Sequence, residues 1–451
     1  MLRASALGFG WLATTSLFAD DGRTVASVPL PKISRPPGAS SVIFLFMAGG
    51  PSHVDTYDPK PELTRLDGQE TPESIRRNFQ ASAMQGNGTR KLMASPFRFR
   101  RYGESGLPAS SLVEHTARYI DELCIIRSLQ HDTVIHVPGE YVMTTGTIDG
   151  DRPSLGTWIS YGLGSENRNL PSFVVLGGGP RPTFAQGFLP SEFQGTSIRK
   201  AEDGIPNLSM PPGLTLEQRR GQLGLINRLN GRHLEQLGDT DTEMEARIRS
   251  YELAFRMQIA APEAFDLSKE TDSTQRQYGI DQPKTQDVGA QCLLARRLVE
   301  RGVRFIQLRV EGWDSHNDLA GGHSAAAGKS DKPIAALIGD LKQRGLFDST
   351  LLVWGGEFGR TPGVEKTGGR DHSPGGFTMW LGGGGIRGGQ TIGRTDEVGY
   401  TAVDRVVSPA DFHATILHSL GINQHDLYFE HRGRREIATF NGGQILQDAF
   451  S

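Results

Sequence analysis

Six short apolar runs punctuate the chain, at residues 41–48 (SVIFLFMA), 123–129, 172–176, 304–310, 350–354 and 377–381. A continuous apolar run of this length, unlike an alternating one, marks a strand buried on both faces. Between these runs, residues 111–121, 291–301, 333–344 and 409–420 carry apolar positions at helical spacing. The alternation predicts an α/β sandwich around a mainly parallel central sheet, with ligands bound beyond the carboxyl ends of its strands. Two stretches break the rhythm. Residues 60–110 are polar and irregular, with Gln85-Gly86-Asn87-Gly88, and predict a surface excursion. Residues 214–260 read as a helical insertion. No internal repeat is visible, so residues 41–451 are expected to form one decorated domain.

The first residues read as targeting. Residues 4–19 are small and apolar, end in Leu17-Phe18-Ala19 before Asp20-Asp21, and follow a lone Arg3. That length suits a signal segment better than a membrane span, which needs about 20 apolar residues. The expectation is a signal-like segment at 1–19, a Pro- and Ser-rich linker at 20–40, and export to the periplasm or cell surface. No later segment is long and apolar enough to span a membrane.

Composition narrows the function classes. With 37% hydrophobic and 22% charged residues the chain is ordinary for a globular protein, and its net charge of -3 argues against a nucleic-acid partner. Cys124 and Cys292 both lie in apolar surroundings and are expected as two buried thiols. The 57 glycines cluster in runs such as 177–179 and 382–385, where a chain leaves a sheet in tight turns. No Gly-x-Gly-x-x-Gly joins a first strand to a helix, which sets aside a dinucleotide-binding oxidoreductase.

Polar chemistry gathers where the predicted strands end. The first strand runs into Ser52-His53-Val54-Asp55, the strand at 304–310 into Asp314-Ser315-His316, and the strand at 350–354 into Glu357-Phe358-Gly359-Arg360-Thr361. A loop then carries Arg370-Asp371-His372. Imidazoles and carboxylates from four segments can therefore meet at one sheet edge, a mixed N/O donor set that suits zinc, manganese or iron better than calcium. Each piece alone is equally a loop cap, a helix cap or a surface ion pair. Their conjunction at strand ends favours a metal site.

Several stretches, among them FLFMAGGPSHVDTYDPKPEL, GWDSHND, LLVWGGEFGRTP, GRDHSPGGFTMWLGGGGIRGG and DFHATILHSLGI, resemble the hallmark segments of the DUF1501 family. The resemblance covers nearly the whole chain after residue 40. It implies an alkaline phosphatase-like α/β/α fold, shared with sulfatases, phosphodiesterases and cofactor-independent phosphoglycerate mutases, and one or two divalent ions. Zinc leads, with manganese, iron or calcium as the other choices. Carried over by motif, Asp55 with His53, Asp314 with His316, Glu357, and Asp371 with His372 are the implied metal ligands. Asp371-His372 either supplies the imidazole that Phe358 lacks or matches the family's final metal histidine.

The sulfatase nucleophile frame is present but altered. Where sulfatases carry Cys/Ser-x-Pro-x-Arg, this chain reads His136-Val137-Pro138-Gly139-Glu140. Formylglycine chemistry needs the missing Cys or Ser. For His136 four roles stay open: phospho-accepting nucleophile, metal ligand, general acid/base, or helix cap. His131 and Asp132 just upstream share these possibilities. Arg360, with its planar fork, is the expected binder of the ester's oxygens, and Ser52 and Thr361 are alternative nucleophiles. Together these point to a metal-dependent hydrolase of phosphate or sulfate esters acting on a small molecule or polysaccharide. The alternative is a non-catalytic or redirected domain that binds carbohydrate or a partner protein.

Overall fold

The computed structural model describes residues 37–76, 91–201, 204–205, 213–237 and 242–450. The expected signal segment and most of the linker, and part of the 60–110 excursion, lie outside the described residues. Ten strands position the site: β1 (Ser41–Ala48), β2 (Leu123–Leu129), β3 (Phe173–Leu176), β4 (Thr196–Ile198), β5 (Phe305–Glu311), β6 (Thr350–Gly355), β7 (Gly359–Glu365), β8 (Gly369–Ser373), β9 (Phe377–Gly382) and β10 (Gln390–Ile392). Eight of them form one sheet of order β10-β2-β9-β6-β1-β5-β3-β4. All its pairings are parallel except those of β9, which runs antiparallel to β2 and β6.

The continuous apolar runs are strands covered on both faces. Along β1, Ile43, Leu45 and Met47 point into a cluster with Leu293, Leu294, Leu337 and Leu341. These come from helices α5 (Gln286–Glu300) and α6 (Leu319–Gln343). The alternate residues Val42, Phe44 and Phe46 point into a second cluster with Trp158, Ile159, Phe412 and Ile416, from α2 (Leu155–Leu163) and α7 (Pro409–Ser419). A period of two thus divides one apolar run between two cores, each side chain contributing about 1.5–3 kcal/mol on burial. The result is a three-layer α/β sandwich. Cys124 joins one core and Cys292 the other, both as free thiols.

The insertion forms helices α3 (Leu216–Leu237) and α4 (Thr242–Phe265), tied by Asn227 donating to Glu252 at 2.9 Å. Three expectations are corrected in detail. Residues 111–121 form two short 3-10 turns, Ser111–Val113 and Thr116–Glu122, not one helix. Helix α6 begins at Leu319 rather than 333 and runs through Pro333. Its start is set by Asp318, whose side chain accepts from the Gly321 amide at 3.0 Å, while Gly321, Gly322 and Gly328 hide the helical pattern. Residues 369–373 are a strand, not a loop: β8 pairs antiparallel with β7, placing His372 opposite Arg360 and Gly369 opposite Glu365. Among the described residues no helix is long and apolar enough to cross a membrane.

Candidate metal centre

Strands β1, β5 and β6 are parallel neighbours, so their carboxyl ends share one edge. There β1 breaks at Gly49, whose φ of +112° favours glycine; a Cβ would stand 2.4 Å from the Asp314 nitrogen. The Gly49 amide donates to both oxygens of Glu357, at 2.9 and 3.2 Å, and its carbonyl accepts from the Arg360 guanidinium. One turn after β1 therefore anchors both charged residues that follow β6.

Four side chains converge above this turn. His136, Asp314, His316 and His372 each offer one donor atom, all within 4.8 Å of one another. His136 Nε2 lies 3.3 Å from Asp314 Oδ2, and His316 Nε2 and His372 Nε2 lie 3.2 and 3.4 Å from Asp314 Oδ1. The two Nε2 atoms of His316 and His372 are 2.9 Å apart. Donors about 2.0 Å from a tetrahedral ion stand about 3.3 Å from each other, so the spacing fits such an ion.

Each imidazole is held from behind. Glu357 Oε1 is 2.6 Å from His136 Nδ1, Glu365 Oε2 is 2.6 Å from His316 Nδ1, and the Val134 carbonyl is 2.6 Å from His372 Nδ1. An acceptor at Nδ1 selects the tautomer that carries its proton there, leaving the Nε2 lone pair for a metal. Consistent with that, His136 Nε2 is buried and faces Asp314 Oδ2 at 3.3 Å. The residues present therefore fit a divalent ion of the zinc type, bound by three nitrogens and one carboxylate.

The charges explain the protonation preferences. Burial pushes the His136 pKa down, but its bonds to Asp314 and Glu357 outweigh that and raise it to about 9. Asp314 is disfavoured as an anion by burial, yet His136, His372 and Arg360 hold its pKa well below the usual carboxylate range. Its side chain is 45% exposed, against 14% for His372, so the open side of the cluster lies over Asp314.

Not every expected residue joins the cluster. Asp314, His316 and His372 meet there, with His136 as a fourth donor rather than a helix cap: helix α1 (His136–Thr145) is capped by Ile135. Glu357 sits behind His136, and Asp371 lies 3.9 Å from His316 Nδ1 in a second group with Glu365. His53 and Asp55 are buried elsewhere. His53 Nε2 donates to the Gly399 carbonyl at 2.7 Å, and Asp55 takes the Arg370 guanidinium at 2.8 Å and the Ser52 hydroxyl at 2.5 Å.

Arg360 is also placed differently from expectation. Fully buried, it donates to the carbonyls of Gly49, Gly50 and Arg370 and to Asp314 Oδ1 at 2.6 Å. Its nitrogens are spent on fixing Asp314 and the β1 turn, not aimed at a bound anion. Ser52 and Thr361 are buried and bonded to Asp55 and the Gly363 carbonyl, and His131 is buried against the Glu357 carbonyl at 2.5 Å. Sequence reasoning missed Glu365 and Arg370. Only the β7–β8 hairpin register, which opposes Glu365 to Gly369, brings Glu365 behind His316.

Solved structures show weak likeness at the level of the fold. The chain is similar to the PsFucS1 sulfatase from Pseudoalteromonas sp., at 13% identity over 86% of this chain and 68% of that one, with a TM-score of 0.36. It is similar to the lipoteichoic acid synthase LtaP from Listeria monocytogenes, at 9% identity over 94% and 80%, with a TM-score of 0.36. A TAB5 alkaline phosphatase mutant with Mg bound gives 11% identity over 86% and 100%, with the same TM-score of 0.36. No curated protein matches the sequence. The profile described as "Protein of unknown function (DUF1501)" matches residues 39–450, and the chain belongs to that family.

Proposed function

We propose that this chain is a metal-dependent hydrolase of phosphate or sulfate esters, with His136, Asp314, His316 and His372 as its metal ligands. One observation carries the reading: three imidazoles, each with Nδ1 satisfied by an acceptor, turn their Nε2 atoms toward one carboxylate. Zinc suits this nitrogen-rich set best, ahead of manganese and iron. A divalent ion there would act as a Lewis acid on an ester oxygen.

The chain's own residues prepare that chemistry. Glu357 and Glu365 orient His136 and His316, and Arg360 holds Asp314 from the buried side. Asp314 leaves the open face toward solvent, where an ester can enter. Among the described residues, no serine, threonine or cysteine is bonded to the four donors. On this reading water is the attacking group and His136 a ligand rather than a nucleophile, and phosphate esters are preferred to sulfate esters because His136 stands where the sulfatase frame has its Cys or Ser. Export, the other half of the reading, rests on the apolar segment at residues 4–19.

The test is elemental analysis of the purified chain after dialysis against metal-free buffer, followed by turnover of p-nitrophenyl phosphate, bis-p-nitrophenyl phosphate and p-nitrophenyl sulfate. Stoichiometric zinc, manganese or iron with turnover lost in the His372→Ala variant is expected. A metal-free chain that neither takes up these ions nor hydrolyses any of the esters overturns the proposal and favours a binding domain.

A further inference from the structure

A second cavity opens on the same sheet edge. It is a solvent-open depression of about 500 Å³ beyond the ends of β3, β4 and β5, and its walls include Gly178, Phe184, Ser197, Arg199, Arg309 and Glu311. β3 and β5 are parallel neighbours, and β5 pairs in parallel with β1, so this cavity and the metal cluster share the carboxyl edge.

Helix α1 joins the two. His136 and Glu140 stand four residues apart, one turn or about 5.4 Å along the same helix face. While His136 faces the cluster, the buried Glu140 carboxylate grips Arg309 Nη1 at 2.6 Å. Arg309 Nε also reaches Glu311 at 3.3 Å, so its guanidinium is locked as one wall of the cavity. Gly178, with φ of +75°, turns the loop there, and a Cβ on it would meet nothing within 4 Å.

The lining chemistry selects the occupant. Arg199 and Arg309 are balanced by Glu140 and Glu311, so the local formal charge is zero and a second anionic group gains little. Guanidinium donors, a carboxylate acceptor and the Ser197 hydroxyl, which does both, match hydroxyl groups that donate and accept in turn. Phe184 adds an aromatic wall that a ring's C–H face can cover. A cavity of this volume falls in the range of small-ligand sites.

We infer that this cavity is a subsite for a sugar ring, the polyhydroxylated part of an ester whose phosphate or sulfate lies at the metal cluster. The inference deepens the hydrolase reading and rests on it for the ester alone. The sugar contact stands on the cavity's own residues.

The test uses cellobiose and lactose as probes, titrated by calorimetry and by saturation-transfer NMR into the wild-type chain with and without zinc. Saturable binding is expected, weakened about tenfold or more in Arg199→Ala and in Glu311→Ala, each of which removes a hydrogen-bonding group. Both positions are exposed, and thermal melts of the variants confirm their folding. The metal-site variant His372→Ala is expected to bind the sugars as the wild type does. No saturable binding by the wild type, or binding unchanged in both cavity variants, overturns the subsite. Sugar binding by a chain that hydrolyses no ester leaves the subsite standing and removes the hydrolase reading. Ester hydrolysis without sugar binding does the reverse.

Discussion

Glu357 Oε1 lies 2.6 Å from His136 Nδ1, although the two residues are 221 positions apart in the chain. Glu357 is wholly buried, and the Gly49 amide donates to both its oxygens, so the carboxylate is fixed before it meets the imidazole. A carboxylate so placed orients the ring and would raise the basicity of Nε2 toward a metal without itself being a ligand.

Replacing that carboxylate tests its place behind the ligand. The Glu357→Gln variant keeps the shape of the side chain but loses the charge. We expect zinc affinity, measured by competition with a chelator, to fall about 10–100-fold, the usual effect of losing such a partner. An unchanged affinity would show that His136 does not bind metal through Nε2.

The metal-free protein should show a raised His136 pKa. Raised to about 9 in the folded chain, it lies above the ordinary imidazole value of about 6.5, so protonated His136 stabilises the fold. The sign follows: this contribution is fully present below about pH 6.5 and is lost as the pH rises through about 9. Zinc must displace that proton, so uptake at pH 7 should release protons. NMR titration of the imidazoles in the metal-free chain checks this. A His136 pKa at or below 6.5, unmoved by Asp314→Asn, would contradict the geometry.

Asp55 separates a structural from a liganding role. It is fully buried and paired with the fully buried Arg370. Breaking such a pair leaves an uncompensated charge, costing about 3–5 kcal/mol. The Asp55→Asn variant should therefore unfold at clearly lower denaturant, while its folded fraction still binds zinc as tightly as the wild type. Loss of metal from a variant of native stability would return Asp55 to the ligand set.

Gly49 is predicted to accept no side chain. In Gly49→Ala the Cβ would stand 2.4 Å from the Asp314 nitrogen, and the residue would keep a φ of +112°. Backbone strain alone costs about 1–3 kcal/mol. Displacement of Asp314 should also weaken zinc binding. A variant with wild-type stability and affinity would mean that the turn relaxes freely.

The two thiols should be silent. Burial pushes the Cys124 pKa up to about 12 and that of Cys292 higher still. Thiolate is the reactive form, so Ellman's reagent should modify neither until denaturant is added. Rapid reaction of either thiol in the native protein would contradict its packing.

The amino-acid sequence alone determined the layered architecture, because a strand covered on both faces must be apolar at every position. The runs at 41–48, 123–129 and 350–354 therefore announce themselves. It also pointed to Asp314 and His316, since polar residues directly after a buried strand collect at the carboxyl edge, whereas His372 was expected on a loop and lies in the hairpin strand β8. Only the tertiary structure decided which of these donors share a point. Asp55 and Asp314 look alike in the sequence, each following an apolar strand. Yet one neutralises Arg370 in the interior, and the other stands half-exposed among three imidazoles. Arg360 and Glu365 were assigned by the β7–β8 hairpin, whose polar strands carry no hydrophobic period and are held by buried guanidinium bonds. The same guanidiniums also reach the Gly50 carbonyl and Asp55, 310 and 315 positions away, and local patterning cannot encode such contacts.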